Sequence, residues 1–278
     1  KISLMNWEPN HFCLNGSSFG SPEELIAYAS SVSNSLHAFL KDWFDSKDFL
    51  MVKTSGSTGK PKEIQLKKEY MKNSAKATGA FFKAQEKTKA LCCLPIEYIA
   101  GKMMLVRAMI LGLEIDCVEP STHPIFDYEK PYDFCAMIPL QLKHVINYTY
   151  NIKTIIIGGS KITQPLLDSI KTKTSKFYET YGMTETVTHI ALKPLESKAQ
   201  RGAGLFTAIP EVTFSLDERE CLVIKAPNLK EKPLVTNDIV DLKSETSFQW
   251  LGRFDNVINS GGVKLFPEQI EDKLRSII

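Results

Sequence analysis

The pattern of apolar and polar positions predicts helix near the start of the chain. Ser21-Pro-Glu-Glu24 has the composition of a helix start, with a serine cap, proline at the first helical position and glutamate at the third. Apolar residues then recur at helical spacing, namely Leu25, Ile26, Ala29, Val32, Leu36, Phe39, Leu40 and Trp43. We therefore expect helical structure from Pro22 to about Trp43.

The middle of the chain alternates short apolar runs with amphipathic stretches. The expected strands cover residues 49–52, 90–94, 113–118, 134–138 and 154–157, and the expected helices cover residues 67–83, 101–111, 142–148 and 164–171. Short apolar strands separated by helices predict an α/β fold, with a mainly parallel sheet covered on both faces. Ligands usually bind at the carboxyl ends of such strands.

Beyond Lys193 the pattern changes to short strands joined by polar turns. Residues 212–216, 221–225 and 247–251 predict a small antiparallel β subdomain. An amphipathic helix begins at Pro267 and runs to the last residue. We expect an α/β nucleotide- and acyl-binding region at 1–195, the antiparallel subdomain at 196–254, and a hinge with the start of a truncated C-terminal domain at 255–278.

Composition narrows the class of protein. The hydrophobic share of 43% and charged share of 24% are those of an ordinary globular protein, and a net charge of +2 argues against a nucleic-acid surface. No apolar run approaches the roughly 20 residues needed to span a bilayer. The six cysteines have no metal-ligand spacing and lie mostly in apolar runs, so we expect buried free thiols in a reducing cytoplasm.

The run Thr54-Ser-Gly-Ser-Thr-Gly-Lys-Pro-Lys62 has the composition of a phosphate-binding loop. Glycine frees the backbone to turn its N–H groups toward an anion, hydroxyls add donors, and lysine adds positive charge. It differs from the Gly-x4-Gly-Lys-Ser/Thr loop because Gly56 and Gly59 are too close together. A flexible Ser/Gly linker is the structural alternative for this run alone.

Four later segments carry further candidate chemistry. In Tyr178–Thr186, Glu185 offers an oxygen ligand for Mg²⁺, Thr184 a hydroxyl for phosphate and Tyr181 a face for a base, and we expect all three in a loop. Asp238 lies between apolar residues, where a ribose diol would be a partner for its carboxylate. The segment Gly252–Lys264 contains Arg253 and Asp255 beside a glycine-containing turn. The segment Ile157-Gly-Gly-Ser160 ends a predicted strand, and its glycines leave the backbone open to close approach by a ligand.

In this order, the five segments resemble the adenylate-forming superfamily of acyl-CoA ligases, luciferases and peptide-synthetase adenylation domains, over roughly residues 50 to 272. Within it, the chain is most similar to the o-succinylbenzoate–CoA ligases of menaquinone synthesis. The stretches that carry this narrower resemblance are Leu94–Gly101, Thr184–Ile190 and Asp255–Gly262.

The resemblance implies the fold of the large N-terminal domain of these enzymes and a reaction in two steps. ATP and a carboxylate would give acyl-adenylate and pyrophosphate, and CoA would then give the thioester, with Mg²⁺ as the metal. Small molecules would be the only partners implied. The family's C-terminal domain carries a lysine that assists adenylation, and nothing after Lys264 matches its motif. These residues alone are therefore expected to bind ATP or acyl-adenylate but to adenylate poorly.

The resemblance also implies roles for individual residues. Thr54, Ser55, Gly56, Ser57, Thr58, Gly59, Lys60 and Lys62 would hold the β- and γ-phosphates of ATP, with Lys60, Thr184 and Glu185 as the catalytic set and Glu185 as the metal ligand. Gly159 and Tyr181 would border adenine, and Asp238 and Arg253 would hold the ribose. Asp255 would be the hinge, and Gly261, Gly262 and Lys264 would approach CoA.

The acid pocket would involve Tyr98, Gly101, Arg107, Ser160, Thr188 and His189. Arg107 would pair with the second carboxylate of o-succinylbenzoate, and its alternative is a solvated arginine on a helix face. His189 has the alternative of a structural histidine, and Ser160 that of a helix cap. Two positions depart from the family pattern, with Glu63 where glycine is usual and Tyr98 where histidine is common. A ligase for another aryl or fatty acid, and a non-catalytic acyl-adenylate-binding module, stay open.

Overall fold

The computed structural model of the chain describes residues 11–53, 63–195, 204–261 and 263–275. The helices are α1 (Pro22–Val32), α2 (Asn34–Phe44), α3 (Lys68–Phe82), α4 (Ile99–Leu111), α5 (Pro139–Val145), α6 (Gln164–Ile170) and α7 (Pro267–Arg275). Short 3-10 turns cover Ile146–Asn151, Thr184–Thr186 and Phe254–Asn256.

The strands of the first two thirds of the chain are β1 (Cys13–Leu14), β2 (Ser17–Ser18), β3 (Phe49–Lys53), β4 (Glu63–Lys67), β5 (Lys89–Cys92), β6 (Glu114–Cys117), β7 (Tyr132–Met137), β8 (Ile152–Ile157), β9 (Lys176–Gly182) and β10 (His189–Pro194). Those that follow are β11 (Phe206–Ala208), β12 (Thr213–Leu216), β13 (Cys221–Lys225), β14 (Leu234–Ser244), β15 (Ser247–Arg253), β16 (Ile258–Ser260) and β17 (Val263–Leu265).

Thirteen of the described strands form one sheet in the order β12-β13-β14-β15-β11-β10-β9-β8-β7-β5-β6-β1-β2. The run β6-β5-β7-β8-β9 is parallel, whereas β9 to β12 along that order pair antiparallel. The predicted α/β class with a parallel and an antiparallel part is therefore confirmed, and the described sheet is a mixed one. The antiparallel strands continue the main sheet through β10 and β11.

Helices cover both faces of the parallel part. Along β5, Ala90 and Cys92 join the core beneath α3 and α4, whereas Leu91 joins the core beneath α5 and α6. Successive side chains of a strand point to opposite faces, so an apolar run such as β5 must be covered twice. The strands and helices predicted between residues 90 and 171 are all present, with one change. The helix expected at 142–148 begins earlier, at Pro139, and becomes a 3-10 turn after Val145.

The first helical stretch is two helices. Ser33 separates α1 from α2 with extended angles (φ −164°, ψ 141°), and its hydroxyl accepts a hydrogen bond from the Leu36 backbone N–H at 3.2 Å. The same residue caps one helix and starts the next, because serine competes well for backbone donors at helix ends. The spacing of apolar residues in the sequence does not reveal this break, because the apolar faces of both helices pack against the same core.

A hairpin of β3 and β4 brings the ends of the predicted phosphate loop together. Lys53 and Glu63 pair across the two antiparallel strands. The loop 54–62 itself lies outside the described residues, as does Gly262. Strand β4 also lies against the turn Thr184–Thr186, with Cα atoms within 8 Å. The strand that follows the predicted phosphate loop is therefore a neighbour of the predicted metal segment.

All six cysteines are free thiols. Four are buried, while Cys13 and Cys117 are partly exposed. Within the described ranges, the structure contains no helix long and apolar enough to cross a membrane.

Candidate functional site

Asp238 is the centre of a buried hydrogen-bond network on β14. Its side chain is 6% exposed. Tyr181 Oη donates to Asp238 Oδ2 at 2.5 Å, Trp250 Nε1 donates to Oδ1 at 3.2 Å, and Arg253 Nη1 reaches the same oxygen at 3.4 Å. A buried carboxylate is stable only when it is paired and hydrogen-bonded, and here three side chains meet that need. Asp238, Arg253 and Tyr181, predicted separately, are thus brought together.

Tyr181 lies within strand β9 and was wrongly expected in a loop. Its ring packs against Phe206 and Phe248, with ring centroids 5.7 and 5.1 Å away. Burial, followed by the negative charge of Asp238, raises the pKa of Tyr181 well above its ordinary value. The hydroxyl therefore stays protonated and serves as a donor to Asp238 across the physiological pH range.

Thr184 and Glu185 are on the 3-10 turn that follows β9. Glu185 is exposed and Thr184 is partly buried. Among the described residues no group of three or more histidine, cysteine or acidic side chains is arranged to hold a metal. Mg²⁺ in nucleotide enzymes is commonly held by one or two carboxylates together with substrate phosphates, so a single exposed glutamate near β4 fits such an ion.

Arg107 is buried in α4 and has no carboxylate partner among the described residues. It is 2% exposed. Its Nε donates to Thr78 Oγ1 at 3.3 Å and its Nη2 donates to Thr188 Oγ1 at 3.2 Å. Burial lowers the pKa of Arg107 to about 10, so the guanidinium is still charged at neutral pH. The alternative of a solvated arginine on a helix face is therefore wrong.

His189 completes this cluster from β10 and is 4% exposed. Its Nε2 lies 3.3 Å from Thr78 Oγ1 and its Nδ1 lies 3.4 Å from Thr188 Oγ1. Burial, with the positive charge of Arg107 as a second cause, lowers the pKa of His189 well below its ordinary value. The imidazole is therefore neutral at pH 7, which leaves the guanidinium as the cluster's positive charge.

One segment, from Tyr181 to His189, contacts three described parts of the fold near predicted site residues. Tyr181 bonds Asp238 on the ribose side. The turn Thr184–Thr186 lies beside β4, the strand after the predicted phosphate loop. Thr188 and His189 contact the Arg107 cluster. Residues predicted to bind the nucleotide and residues predicted to bind the acid therefore lie on this one continuous segment.

Gly101 is required by close packing at the start of α4. A Cβ there would lie 2.2 Å from the Pro95 carbonyl oxygen. Tyr98 caps this helix without a side-chain bond and is 51% exposed, so its ring faces solvent. The structure places Tyr98 at the helix start and Arg107 in the buried helix body.

Gly159 and Ser160 are exposed at the carboxyl end of β8. Gly159 has φ +87°, a conformation that favours glycine. Ser160 does not cap α6, because the cap position belongs to Thr163.

The predicted hinge residue Asp255 is exposed and accepts a hydrogen bond from Asn237 Nδ2 at 3.3 Å. Gly261, with φ +57°, forms the exposed turn between β16 and β17. Lys264 on β17 pairs with Glu220.

Two residues of the site were missed in the sequence. Thr78 contacts both Arg107 and His189, and Trp250 contacts Asp238. Nothing local marks either one, since Thr78 is an ordinary helix residue and Trp250 an ordinary strand residue. Two cavities among the described residues, of about 300 and 290 Å³, are lined by none of the predicted site residues.

Comparison with known proteins agrees with the fold. The model of the AMP-binding enzyme family matches residues 13–223. A solved AMP-forming acyl-CoA synthetase/AMP-acid ligase II-like protein from Dyadobacter fermentans is 36% identical, with a TM-score of 0.73 over 87% of this chain and 71% of that one. An o-succinylbenzoate coenzyme A synthetase from Bacillus subtilis, solved with ATP and magnesium, is 22% identical, with a TM-score of 0.68 over 82% of this chain and 54% of that one.

Curated relatives include 2-succinylbenzoate–CoA ligases. The 2-succinylbenzoate–CoA ligase of Listeria monocytogenes (strain F2365) is 28% identical, and the match covers 97% of this chain and 63% of that protein. The Bacillus subtilis enzyme of the same name is 27% identical over 80% of this chain and 52% of that protein. The chain thus spans between half and two thirds of the length of these relatives. With three quarters of its residues matched by the family model, the chain belongs to the AMP-binding enzyme family, and its fold is that of the N-terminal domain of adenylate-forming enzymes.

Proposed function

We propose that the protein of which this chain is part is an ATP- and Mg²⁺-dependent acid–thiol ligase, and that its acid is o-succinylbenzoate. The first step joins the acid's carboxylate to the α-phosphate of ATP and releases pyrophosphate. The second step transfers the acyl group from the adenylate to the thiol of CoA and releases AMP. The product would serve menaquinone synthesis, and the free thiols support a reducing, cytoplasmic setting.

The observation that carries the proposal is the buried, charged Arg107 without a carboxylate partner among the described residues. Burying an unpaired charge is costly, so such a group persists where a ligand supplies the opposite charge. o-Succinylbenzoate has two carboxylates, one to be activated and one left for recognition. Arg107 would bind the second one, with Thr188 and Thr78 orienting the guanidinium.

A second set of residues would bind the adenosine part of ATP. Asp238 and Arg253 would hold the ribose, and Tyr181 and Gly159 would border the adenine. For a ribose to bond Asp238, one of its donors must give way, and the exposed Arg253 is best suited because its contact of 3.4 Å is the longest. Bound ribose would then lie between the carboxylate and the guanidinium.

The phosphate side combines the loop 54–62 with the turn beside it. Lys60 and the loop's hydroxyl and backbone donors would hold the β- and γ-phosphates, which leave as pyrophosphate. Thr184 would donate to phosphate and Glu185 would hold Mg²⁺. When bound, Mg²⁺ offsets the repulsion between the attacking carboxylate and the phosphates.

The second step requires a change of neighbours around the adenylate. Asp255 would act as the hinge between the region 1–254 and the region 255–278. The first of these would consist of the α/β part at 1–195 and the antiparallel part at 196–254. Gly261, Gly262 and Lys264 would then approach the pantetheine arm of CoA. A hinge lets one site serve two chemical steps in turn.

Two alternatives remain distinct from this proposal. A ligase for another aryl or fatty acid would use the same nucleotide site, but a monocarboxylate would leave Arg107 unpaired. A module that binds acyl-adenylate without making it would have the same pockets and no turnover.

The decisive experiment is CoA-ligase activity of the full-length protein with a panel of acids, namely o-succinylbenzoate, benzoate, a long-chain fatty acid and malonate. We expect AMP formation and thioester with o-succinylbenzoate at a kcat/KM at least tenfold above the others. Preference for a monocarboxylate would favour the first alternative. Adenylate binding without turnover of any acid would favour the second.

A further inference from the structure

The turn between the proposed metal ligand and the acid cluster has a strained backbone. After the 3-10 turn Thr184–Thr186, Val187 adopts φ +68° and ψ −54°, and the Thr188 N–H donates to the Thr186 carbonyl at 2.8 Å. These are the features of the rare γ-turn with positive φ. A β-branched residue seldom adopts positive φ, because its Cβ crowds the backbone. Such a conformation persists only where the surrounding structure holds it in place.

The hydroxyl of Thr186 closes this turn from inside. The residue is 2% exposed. Its Oγ1 accepts a hydrogen bond from the Met183 N–H at 3.0 Å and donates to the Thr188 carbonyl at 2.8 Å, with the Met183 carbonyl as an alternative acceptor at 3.0 Å. One side chain therefore ties together the residue before the turn and the residue after it.

The turn is also enclosed by its surroundings. Val187 is fully buried. On the other side, a Cβ on Gly182 would lie 2.3 Å from the Thr188 carbonyl oxygen, so the turn rests directly on the end of β9. Neither the Thr186 nor the Val187 side chain is exposed to solvent, so both act through their neighbours.

Each end of the turn carries a proposed functional group. Glu185 is exposed at the phosphate end, beside β4. Thr188 accepts a hydrogen bond from Arg107 Nη2 at the acid end. We propose that Thr186 and Val187 are positioning residues, and that their strained turn fixes Glu185 relative to the Thr188–Arg107 pair, so that metal-bound ATP and the acid meet in reactive geometry. This inference rests on the proposed function of the two ends.

The test uses the full-length protein with Thr186→Val, which keeps the shape and removes the hydroxyl. Thr186→Ser keeps a hydroxyl at this position. Val187→Gly removes the buried β-branched side chain and leaves a residue that adopts positive φ without strain. Thr149→Val is the matched control, because Thr149 is also a fully buried threonine whose hydroxyl donates to a backbone carbonyl, in the 3-10 turn after α5. Steady-state kinetics with o-succinylbenzoate, thermal stability and amide exchange of the ligand-free protein are measured for each variant.

Thr186→Val removes the hydroxyl that closes the turn, and Val187→Gly removes the buried side chain that encloses it. We expect each change to misplace Glu185 relative to Arg107 and so to lower kcat at least about tenfold. Amide exchange at Thr188 should become at least about tenfold faster by the same conversion. Thr186→Ser should recover most of kcat. Thr149→Val should leave kcat within about twofold of wild type even where it lowers the melting temperature as much.

Unchanged kcat in Thr186→Val and Val187→Gly would overturn the inference, as would an equal loss of kcat in Thr149→Val. A wild-type protein that turns over no acid would instead refute the proposed function. In that case the exchange measurement still decides the structural claim, because unchanged exchange at Thr188 in Thr186→Val would show that the hydroxyl does not hold the turn.

Discussion

At the scale of the single residue, Arg107 and His189 show what local sequence does not reveal. Both were named as candidates, but their burial and mutual contacts with Thr78 and Thr188 depend on the packing of α3, α4 and β10. Thr78 lies 29 positions from Arg107 and 111 from His189. Such long-range neighbours leave no periodic signal in the chain, which is why Thr78 was missed.

The buried charge of Arg107 should cost stability. Arg107→Leu replaces an unpaired buried cation by a shorter apolar side chain, and we expect the free energy of unfolding to rise by about 1–3 kcal/mol. Urea denaturation of the ligand-free protein measures this change. A matched control is Arg219→Leu, because Arg219 is partly exposed and paired with Asp217, and there we expect no gain. Loss of stability in Arg107→Leu would show that the charge is satisfied inside the fold.

His189 should make stability depend on pH. Burial, then the charge of Arg107, lowers its pKa in the folded protein, so below its ordinary pKa the unfolded chain binds a proton that the folded protein does not. Stability therefore falls as pH drops below about 6.5, with a slope of up to about 1.4 kcal/mol per pH unit from this group.

Urea denaturation at pH 8 and at pH 5 checks this expectation by comparing wild type with His189→Gln. The variant should lose less stability than wild type between the two values. An identical loss in both proteins would count against a buried neutral imidazole.

At the scale of the element, the sequence predicted the strands and helices of the alternating part because short apolar runs alternate there with longer helix-forming stretches. It did not reveal the break at Ser33, because the apolar positions of α1 and α2 continue across it. Strand β14 was not predicted either, since Thr236, Asn237 and Asp238 interrupt its apolar pattern. Those polar residues are tolerated because they hydrogen-bond within the fold, as Thr236 does to the Leu222 carbonyl and Asp238 does to Tyr181.

Helix α4 depends on glycine at its start. Gly101→Ala would put a Cβ 2.2 Å from the Pro95 carbonyl oxygen, so the helix that carries Arg107 must shift. We expect a loss of about 2–4 kcal/mol in the free energy of unfolding, together with weaker acid binding. Gly20→Ala is the control, because its Cβ would meet only the flexible Glu24 side chain at 3.3 Å. Equal effects of the two changes in urea denaturation would contradict the packing argument.

At the scale of the whole molecule, the parallel and antiparallel strands form one continuous sheet. Strand β11 pairs with β10 on one side and with β15 on the other, so the antiparallel part shares its backbone bonds with the main sheet. We therefore expect the two parts to unfold together. In a variant that combines Trp7→Phe with Trp43→Phe, Trp250 on β15 is the remaining tryptophan. Its fluorescence change should coincide with the loss of far-UV circular dichroism during urea unfolding. Separate transitions would indicate an independent antiparallel subdomain.

The sequence motifs predicted several site segments, and the segment Tyr181–His189 contacts Asp238 at one end and Arg107 near the other. The motifs could not predict which of these side chains are paired with an opposite charge or with hydrogen-bond donors. Asp238 has three donors around its carboxylate, whereas Arg107 has no acidic partner in the part of the chain that the structure describes. That contrast supports a dicarboxylic acid as the substrate.

The most direct test of this account is the KM for o-succinylbenzoate and for ATP in the full-length protein, compared between wild type and Arg107→Leu. Loss of a charge-assisted contact to the second carboxylate predicts a KM for the acid that rises on the order of 100-fold, with the KM for ATP changed by less than about threefold. Equal changes in the two KM values, or an unchanged KM for o-succinylbenzoate, would contradict it.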